Sequence, residues 1–380
     1  MAVIGVAQLL LILDMTIVNV ALPTAQGALH IADSDRHWVI TAYTLAFGGL
    51  LLLGGRIADV TGRKRAFVAG LVGFAVASAA FVLAGEQDAI AAARFGQGAA
   101  AAAFSPAAGT LVARFSPTDR RGRAFGTYGA WKGLGYTTGP LLGGGLVALG
   151  GFRLLFTTLA VLGLGVAAWA ALVVPAAPPL PRARETVLGL TRRLAQPSFL
   201  QPVLALAGAT AALSAGVGFL PVRGAQANLG PLATGAATSL LALAAALVQP
   251  RAGRAHDTGR LPRATGMTGG LALAAVGFAA AVVLPGLPGL LLAGTAVGIG
   301  TGLVTPLGFA ALAATAPPGR LGQTMGAGEV GRELGDAGGP LLVGTIAGTA
   351  GLGLGAGLLG LAATLLLAAS ATSMRRPISQ

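Results

Sequence analysis

The sequence predicts an all-α polytopic membrane protein whose twelve transmembrane helices form two parallel six-helix repeats. Three observations predict it. Hydrophobic residues fill 54% of the 380 positions and charged residues only 10%, with a mean hydropathy of +0.79. A soluble domain carries roughly 25% charged residues, so this chain cannot cover itself with a polar surface and must use lipid as its solvent. Twelve apolar runs are long enough to cross a bilayer. The second six of them repeat features of the first six at a nearly fixed spacing.

The same composition excludes several functions. Cysteine is absent, which removes disulfides, thiol nucleophiles and Cys-based metal sites. The three histidines, His30, His37 and His256, stand at no metal-ligand spacing, so neither a metal nor a cofactor is expected. The net charge of +13 is distributed as short Arg clusters between apolar runs, which argues against nucleic acid as a partner. "GAGEVG" (326–331) fits a dinucleotide-binding pattern but follows no strand. No nucleophile–base pair marks an enzyme. No basic segment precedes the first apolar run and Asp14 interrupts it, so no cleavable signal peptide is expected. Met1 falls nearly at the membrane edge, which leaves room for an upstream start.

In order, the spans lie at about 1–23, 38–58, 66–85, 89–113, 124–149 and 152–174. The second set lies at about 199–220, 231–250, 264–286, 287–313, 322–348 and 351–373. "PAAPPLPRARETVLGLTRRLAQP" separates the sets. The expected organisation is a six-helix half at 1–174, a cytoplasmic linker at 175–198, a second half at 199–373 and a cytoplasmic tail at 374–380. Lys and Arg set the orientation. With the N-terminus inside, 19 of the 25 fall in cytoplasmic loops and tail, and only Arg36, Arg153 and Arg223 fall outside. Both termini are therefore expected in the cytoplasm. Arg outnumbers Lys 23 to 2 in an Ala- and Gly-rich chain, which fits a GC-rich bacterial genome and hence a bacterial inner (plasma) membrane.

The duplication is explicit. Gly139-Pro140-Leu141-Leu142 returns as Gly339-Pro340-Leu341-Leu342 at an offset of 200, which also pairs Pro106 with Pro306, Arg120 with Arg320 and Gly126 with Gly326. "GRIADVTGRKR" (55–65) has an eroded partner in "GRAHDTGRLPR" (253–263), one residue shorter between its Asp and the next Gly. Both basic loops lie on one side, so the repeats point the same way and each needs an even number of spans. Six plus six satisfies this, in a transporter architecture that binds substrate at mid-depth.

Several spans carry charge at depth. Asp14 follows thirteen uncharged residues, about 20 Å into a segment crossing a core of about 30 Å. An unpaired carboxylate there costs at least about 2.5–3.5 kcal/mol unless it is protonated or paired. Asn19 extends the polar path. In the eleventh span Glu329, Arg332, Glu333 and Asp336 fall on one helical stripe about 100° wide. They read either as a second titratable site for protons or a cationic substrate, or as a hydrated stripe near the cytoplasmic mouth. Lys132 stands where Arg332 stands in the other repeat and either faces the cavity or pairs across it. Gly135, Gly139, Pro140, Gly143 and Gly144 read as close helix packing with a kink at the proline.

These residues carry a family resemblance. "GGRIADVTGRKR" resembles the loop signature of the major facilitator superfamily, and "ARFGQGAAAAAFSPAAG" (93–109) resembles its fourth-span motif. "GYTTGPLLGG" resembles the fifth-span antiporter motif, and "LDMTIVNVALP" is similar to the first-span signature of drug:proton antiporters, especially the fourteen-span branch. The chain departs in having twelve spans and in placing Val60 where a basic residue usually follows the Asp. The resemblance implies the major facilitator fold and proton-coupled export of small amphipathic or cationic compounds by alternating access, with a monomer sufficing. It implies a latch in which Asp59, set in a tight loop by Gly55 and Gly62, meets a helix N-terminus and Arg63. It makes Arg94 the natural partner of Asp14, either as a proton-sensitive pair or as a purely structural one. The other readings are a dedicated exporter or importer of one metabolite, and a non-transporting sensor or assembly protein.

Overall fold

A computed structural model describes residues 1–29, 36–84, 87–176, 195–349 and 352–373. Within its helices the side chains at 19–29, 36–40, 87, 140, 231 and 232 lie outside the description. Among the described residues the chain is helical with no strand. The helices are α1 (Ala2–Leu29), α2 (Arg36–Thr61), α3 (Arg63–Leu83), α4 (Gln87–Phe115), α5 (121–149) and α6 (152–173). They continue as α7 (Pro197–Gln226), α8 (Pro231–Asp257), α9 (Arg263–Val283), α10 (Gly286–Thr315), α11 (Leu321–Gly348) and α12 (Gly353–Ser373). Most of the expected linker and all of the expected tail fall outside the described residues.

Helix boundaries follow a different rule from apolar runs. The α8 helix continues past its apolar run through Arg251 and Arg254 to Asp257, because hydropathy marks where a helix meets lipid and not where its hydrogen bonding stops. The α5 and α6 helices form one stretch, Arg121–Val173, broken only at Gly150 (φ −160°, ψ 23°) and Gly151 (φ 66°, ψ −167°). The Gly151 geometry is open essentially to glycine alone. The helix continues past Pro140 although proline has no N–H to donate. Eight described segments are apolar enough to cross a membrane. Neither α4 nor α11 is among them, and both carry charge within their length, Arg94 on α4 and Glu329, Arg332, Glu333 and Asp336 on α11.

Contacts divide the chain into two compact units. The first holds 1–115, 131–184 and 316–330; the second holds 116–130, 185–315 and 331–380. In the first unit α4 packs against α2 and α3. In the second, α10 packs against α7, α8 and α9, and α12 against α9. Small residues set the spacing within each. A Cβ on Gly98 of α4 would strike the Tyr43 carbonyl oxygen of α2, and a Cβ on Gly298 of α10 would strike the Leu241 carbonyl oxygen of α8. Gly98 and Gly298 differ by the same 200 positions that the sequence repeat prescribes.

Candidate functional site

The first constellation is built on α1 and α4. Asp14 has no exposed surface and Arg94 is 2% exposed. The Arg94 Nη1 donates to Asp14 Oδ2 at 2.9 Å and Oδ1 at 3.1 Å, and to Gln97 Oε1 at 2.8 Å. Gln97 Nε2 donates to Asp14 Oδ1 at 3.2 Å and to Ser78 Oγ at 2.8 Å. Ser78 in turn donates to the Phe74 carbonyl at 2.8 Å, one turn back on α3. The Arg94 guanidinium carbon lies 4.4 Å from the Tyr43 ring centroid, within cation–π range. The cluster is charge-balanced and its donors converge on one carboxylate. In a low dielectric such a network is rigid when complete and costly when one member is lost.

Gln97, Ser78 and Tyr43 are members that the sequence reading did not single out. Gln8, on α1 before Asp14, was also missed. It is fully buried, and among the described residues neither amide atom has a hydrogen-bond partner. Asn19 lies on α1, but its side chain is outside the described residues.

The second constellation is a matched pair of carboxylates at helix starts. Asp59 Oδ1 accepts from the Gly322 N–H at 2.9 Å and Oδ2 from the Gln323 N–H at 3.1 Å. These are the second and third residues of α11, whose first N–H groups have no partner within the helix. Arg63 Nη2 stands 3.5 Å from Asp59 Oδ1, with both side chains buried. Gly55 and Gly322 make this possible, since a Cβ on either would collide with the other's carbonyl oxygen. Gly62, at φ 98°, turns the chain between α2 and α3 in a region that disfavours other residues.

In the second unit Asp257 repeats the arrangement. Its Oδ1 accepts from Gly122 N–H and its Oδ2 from Arg123 N–H, both at 2.7 Å, at the second and third residues of α5. Gly253 and Gly122 approach as Gly55 and Gly322 do. Asp257 was legible in principle, because the offset that matches Gly253 to Gly55 also matches Asp257 to Asp59. Among the described residues no salt bridge joins Asp257 to Arg260, the counterpart of Arg63, which is exposed.

Removing the charge at 59 should loosen the start of α11. A carboxylate at a helix N-terminus contributes about 0.3–1 kcal/mol when exposed and up to about 2 kcal/mol when partly buried. The chain has no cysteine, so a single Thr324→Cys replacement at a buried position reports opening by maleimide labelling. Asp59→Asn is expected to raise that labelling rate about 5- to 30-fold, the factor corresponding to 1–2 kcal/mol. An unchanged rate would count against a role for Asp59 in holding the helix.

The third constellation joins α5 and α11. Lys132 Nζ donates to Glu329 Oε1 at 2.7 Å, and both side chains are buried. Lys132 thus meets a member of the acidic stripe. Glu329 belongs with Lys132 in the first unit, whereas Arg332, Glu333 and Asp336 belong to the second. Arg332 is buried, and Glu333 and Asp336 are half-buried. Ser214 Oγ on α7 donates to the Asp336 carbonyl oxygen at 2.8 Å. Gly135, Gly139 and Gly143 present a flat face to Ile12, Thr16 and Ile17 of α1, leaving no room for a Cβ at 139. Gly335 and Gly339 do the same against Ala207 and Ala211 of α7. Gly144 is half-buried on α5, and the Pro140 side chain is outside the described residues. Among the described residues no cluster of His, Asp or Glu is arranged to hold a metal.

Comparison with known proteins agrees with this architecture. The chain is 52% identical over 145 residues to the puromycin resistance protein pur8 of Streptomyces alboniger, covering 38% of this chain and 29% of that one. It is 36% identical over 188 residues to a probable actinorhodin transporter of Streptomyces coelicolor, covering 48% and 32%. It is 36% identical over 153 residues to the multidrug resistance protein Stp of Mycobacterium tuberculosis, covering 40% and 28%. The chain therefore spans about a third or less of the length of these curated relatives. Among solved structures, the human organic anion transporter MFSD10 superposes with a TM-score of 0.74 at 19% identity, covering 98% of each chain. The Escherichia coli fucose:proton symporter superposes with a TM-score of 0.78 at 14% identity, again over 98% of each. Both share its fold. The model of the Major Facilitator Superfamily matches residues 4–340. With the repeated helix order and the paired carboxylates at helix starts, that match places the chain in the major facilitator superfamily.

Proposed function

We propose that this chain is a proton-coupled exporter of small amphipathic or cationic compounds, working by alternating access in a bacterial plasma membrane with both termini in the cytoplasm. The observation that carries the reading is the Asp14–Arg94–Gln97–Ser78 network, buried among α1, α3 and α4. A carboxylate retained there without a task is a standing cost. Given a proton, Asp14 becomes neutral and its hold on Arg94 weakens, so a proton selects between two packings of α1 and α4. A ligand shifts such an equilibrium only by its differential affinity for the two states, and a proton that discharges one member of a buried pair has that property.

The other constellations fit the same cycle. Asp59 and Asp257 act as latches that grip the starts of α11 and α5 in one state and release them in the other. The glycine faces of α5 and α11 allow closely packed helices to slide or tilt without side-chain interlocking. Gln8 offers an amide whose unmet hydrogen bonds cost about 1–3 kcal/mol when buried, and a polar group on a passing solute relieves that cost. Export of drug-like compounds is supported by the names of the relatives, which concern resistance to puromycin and to multiple drugs and transport of actinorhodin. A monomer suffices for this cycle.

Efflux of several cationic dyes from proteoliposomes bearing an imposed pH gradient tests the proposal. Dye movement against its gradient, abolished when the pH difference is collapsed by an ionophore, is the expected result. Movement of a single compound would point to a dedicated carrier. No movement of any compound would point to a sensor or assembly protein of transporter ancestry.

A further inference from the structure

A groove of about 980 Å³ opens on the first unit where α3 begins and α6 ends. Its mouth is basic, formed by Lys64 and Arg65 in the first turn of α3. Its wall is apolar, formed by Ala69, Val72 and Gly73 of α3 and Ala171 of α6. We propose that this groove holds one anionic phospholipid, its phosphate between Lys64 and Arg65 and an acyl chain along the α3 wall.

Charge and shape both point to that occupant. Neighbouring Arg63 is engaged by Asp59, whereas no ion pair among the described residues includes Lys64 or Arg65. The sequence that follows Ala176 is itself basic, with Arg182, Arg184, Arg192 and Arg193 against the single acid Glu185 in residues 177–194. A free phosphate would answer the mouth alone. From Lys64 to Gly73 the helix rises about 14 Å, and Val72 is 39% exposed along that length. Both α3 and α6 are apolar enough to cross a membrane. A ligand with a charged head and a long apolar tail satisfies both ends of the groove. Two basic side chains at a membrane surface are each worth enough to enrich anionic lipid over neutral lipid by about tenfold or more in total.

The test is lipid binding to the purified full chain, read by native mass spectrometry, with phosphatidylglycerol, phosphatidylcholine and inorganic phosphate as separate probes. Phosphatidylglycerol is expected to bind about tenfold more tightly than phosphatidylcholine. Lys64→Gln/Arg65→Gln should erase that preference. Ala69→Trp, which keeps both charges and fills the slot, should weaken phosphatidylglycerol binding to a similar degree. Arg251→Gln/Arg254→Gln, at exposed positions on α8, should leave it unchanged. The proposal is overturned if the Lys64/Arg65 variant binds phosphatidylglycerol within about twofold of the parent, well inside the expected electrostatic effect. It is also overturned if Ala69→Trp binds as the parent does, or if inorganic phosphate displaces the lipid, since either result describes an anion site without a lipid slot.

Discussion

Asp14→Asn is expected to abolish solute movement driven by a pH gradient, while exchange of labelled for unlabelled solute at equal pH survives. Asparagine keeps the shape and can still accept from Arg94 and Gln97, so the geometry of the cluster is largely preserved. What it loses is the ability to bind and release a proton. It also loses the negative charge opposite Arg94. Breaking a buried pair by removing one partner costs about 3–5 kcal/mol, so the single variant should also unfold more readily. Stability and coupling can be separated with Asp14→Asn/Arg94→Gln. That variant restores neutrality and should recover most of the lost stability, measured by thermal unfolding, but none of the pH-driven transport. Full pH-driven transport in the double variant would make the pair a structural tie and nothing more.

How much of this was legible depended on how loudly each residue contrasts with its surroundings. Asp14 stands out because a carboxylate in an uncharged run has no cheap explanation. Gln97 and Ser78, which complete its network, do not stand out. An amide or a hydroxyl among alanines barely changes hydropathy, and only the fold shows which of them face inward. The repeat was read from Gly-Pro-Leu-Leu and the basic loop, and it supplied the six-plus-six count. The offset that matches Gly253 to Gly55 also matches Asp257 to Asp59, but the sequence reading singled out only Asp59.

The acidic stripe of α11 is legible in angle only. Helical angle gives direction but not depth. Glu329 and Asp336 share a face, yet seven residues separate them along the axis by about 10 Å, enough to meet different neighbours. Glu329 meets Lys132 and falls in one unit; Asp336 falls in the other. The break between α5 and α6 was visible as two adjacent glycines, while the ends of α7 and α8 were not, since those helices outrun their apolar cores.

Lys132→Met/Glu329→Leu is expected to yield a chain as stable as the parent that no longer transports. A buried ion pair of 2.7 Å is held by mutual compensation, and replacing both partners with apolar residues of similar volume is often neutral or stabilising by about 1–4 kcal/mol. Removing one partner is different. Glu329→Gln leaves an unpaired ammonium in a buried position and should cost about 3–5 kcal/mol. Thermal unfolding of the single and double variants should therefore run in opposite directions. The function follows from why an ionic tie would be kept where an apolar one is at least as strong. An apolar contact between α5 and α11 persists in every state that keeps the helices adjacent. An ion pair can be opened by a proton on Glu329 or by a cationic solute that competes with Lys132. If the double variant moves dye at the parent rate under a pH gradient, opening of the pair is no part of the cycle, and the coupling must reside in other acids, Asp14 first among them. If transport is lost while stability holds, α5 and α11 are joined by a contact that the cycle needs to break.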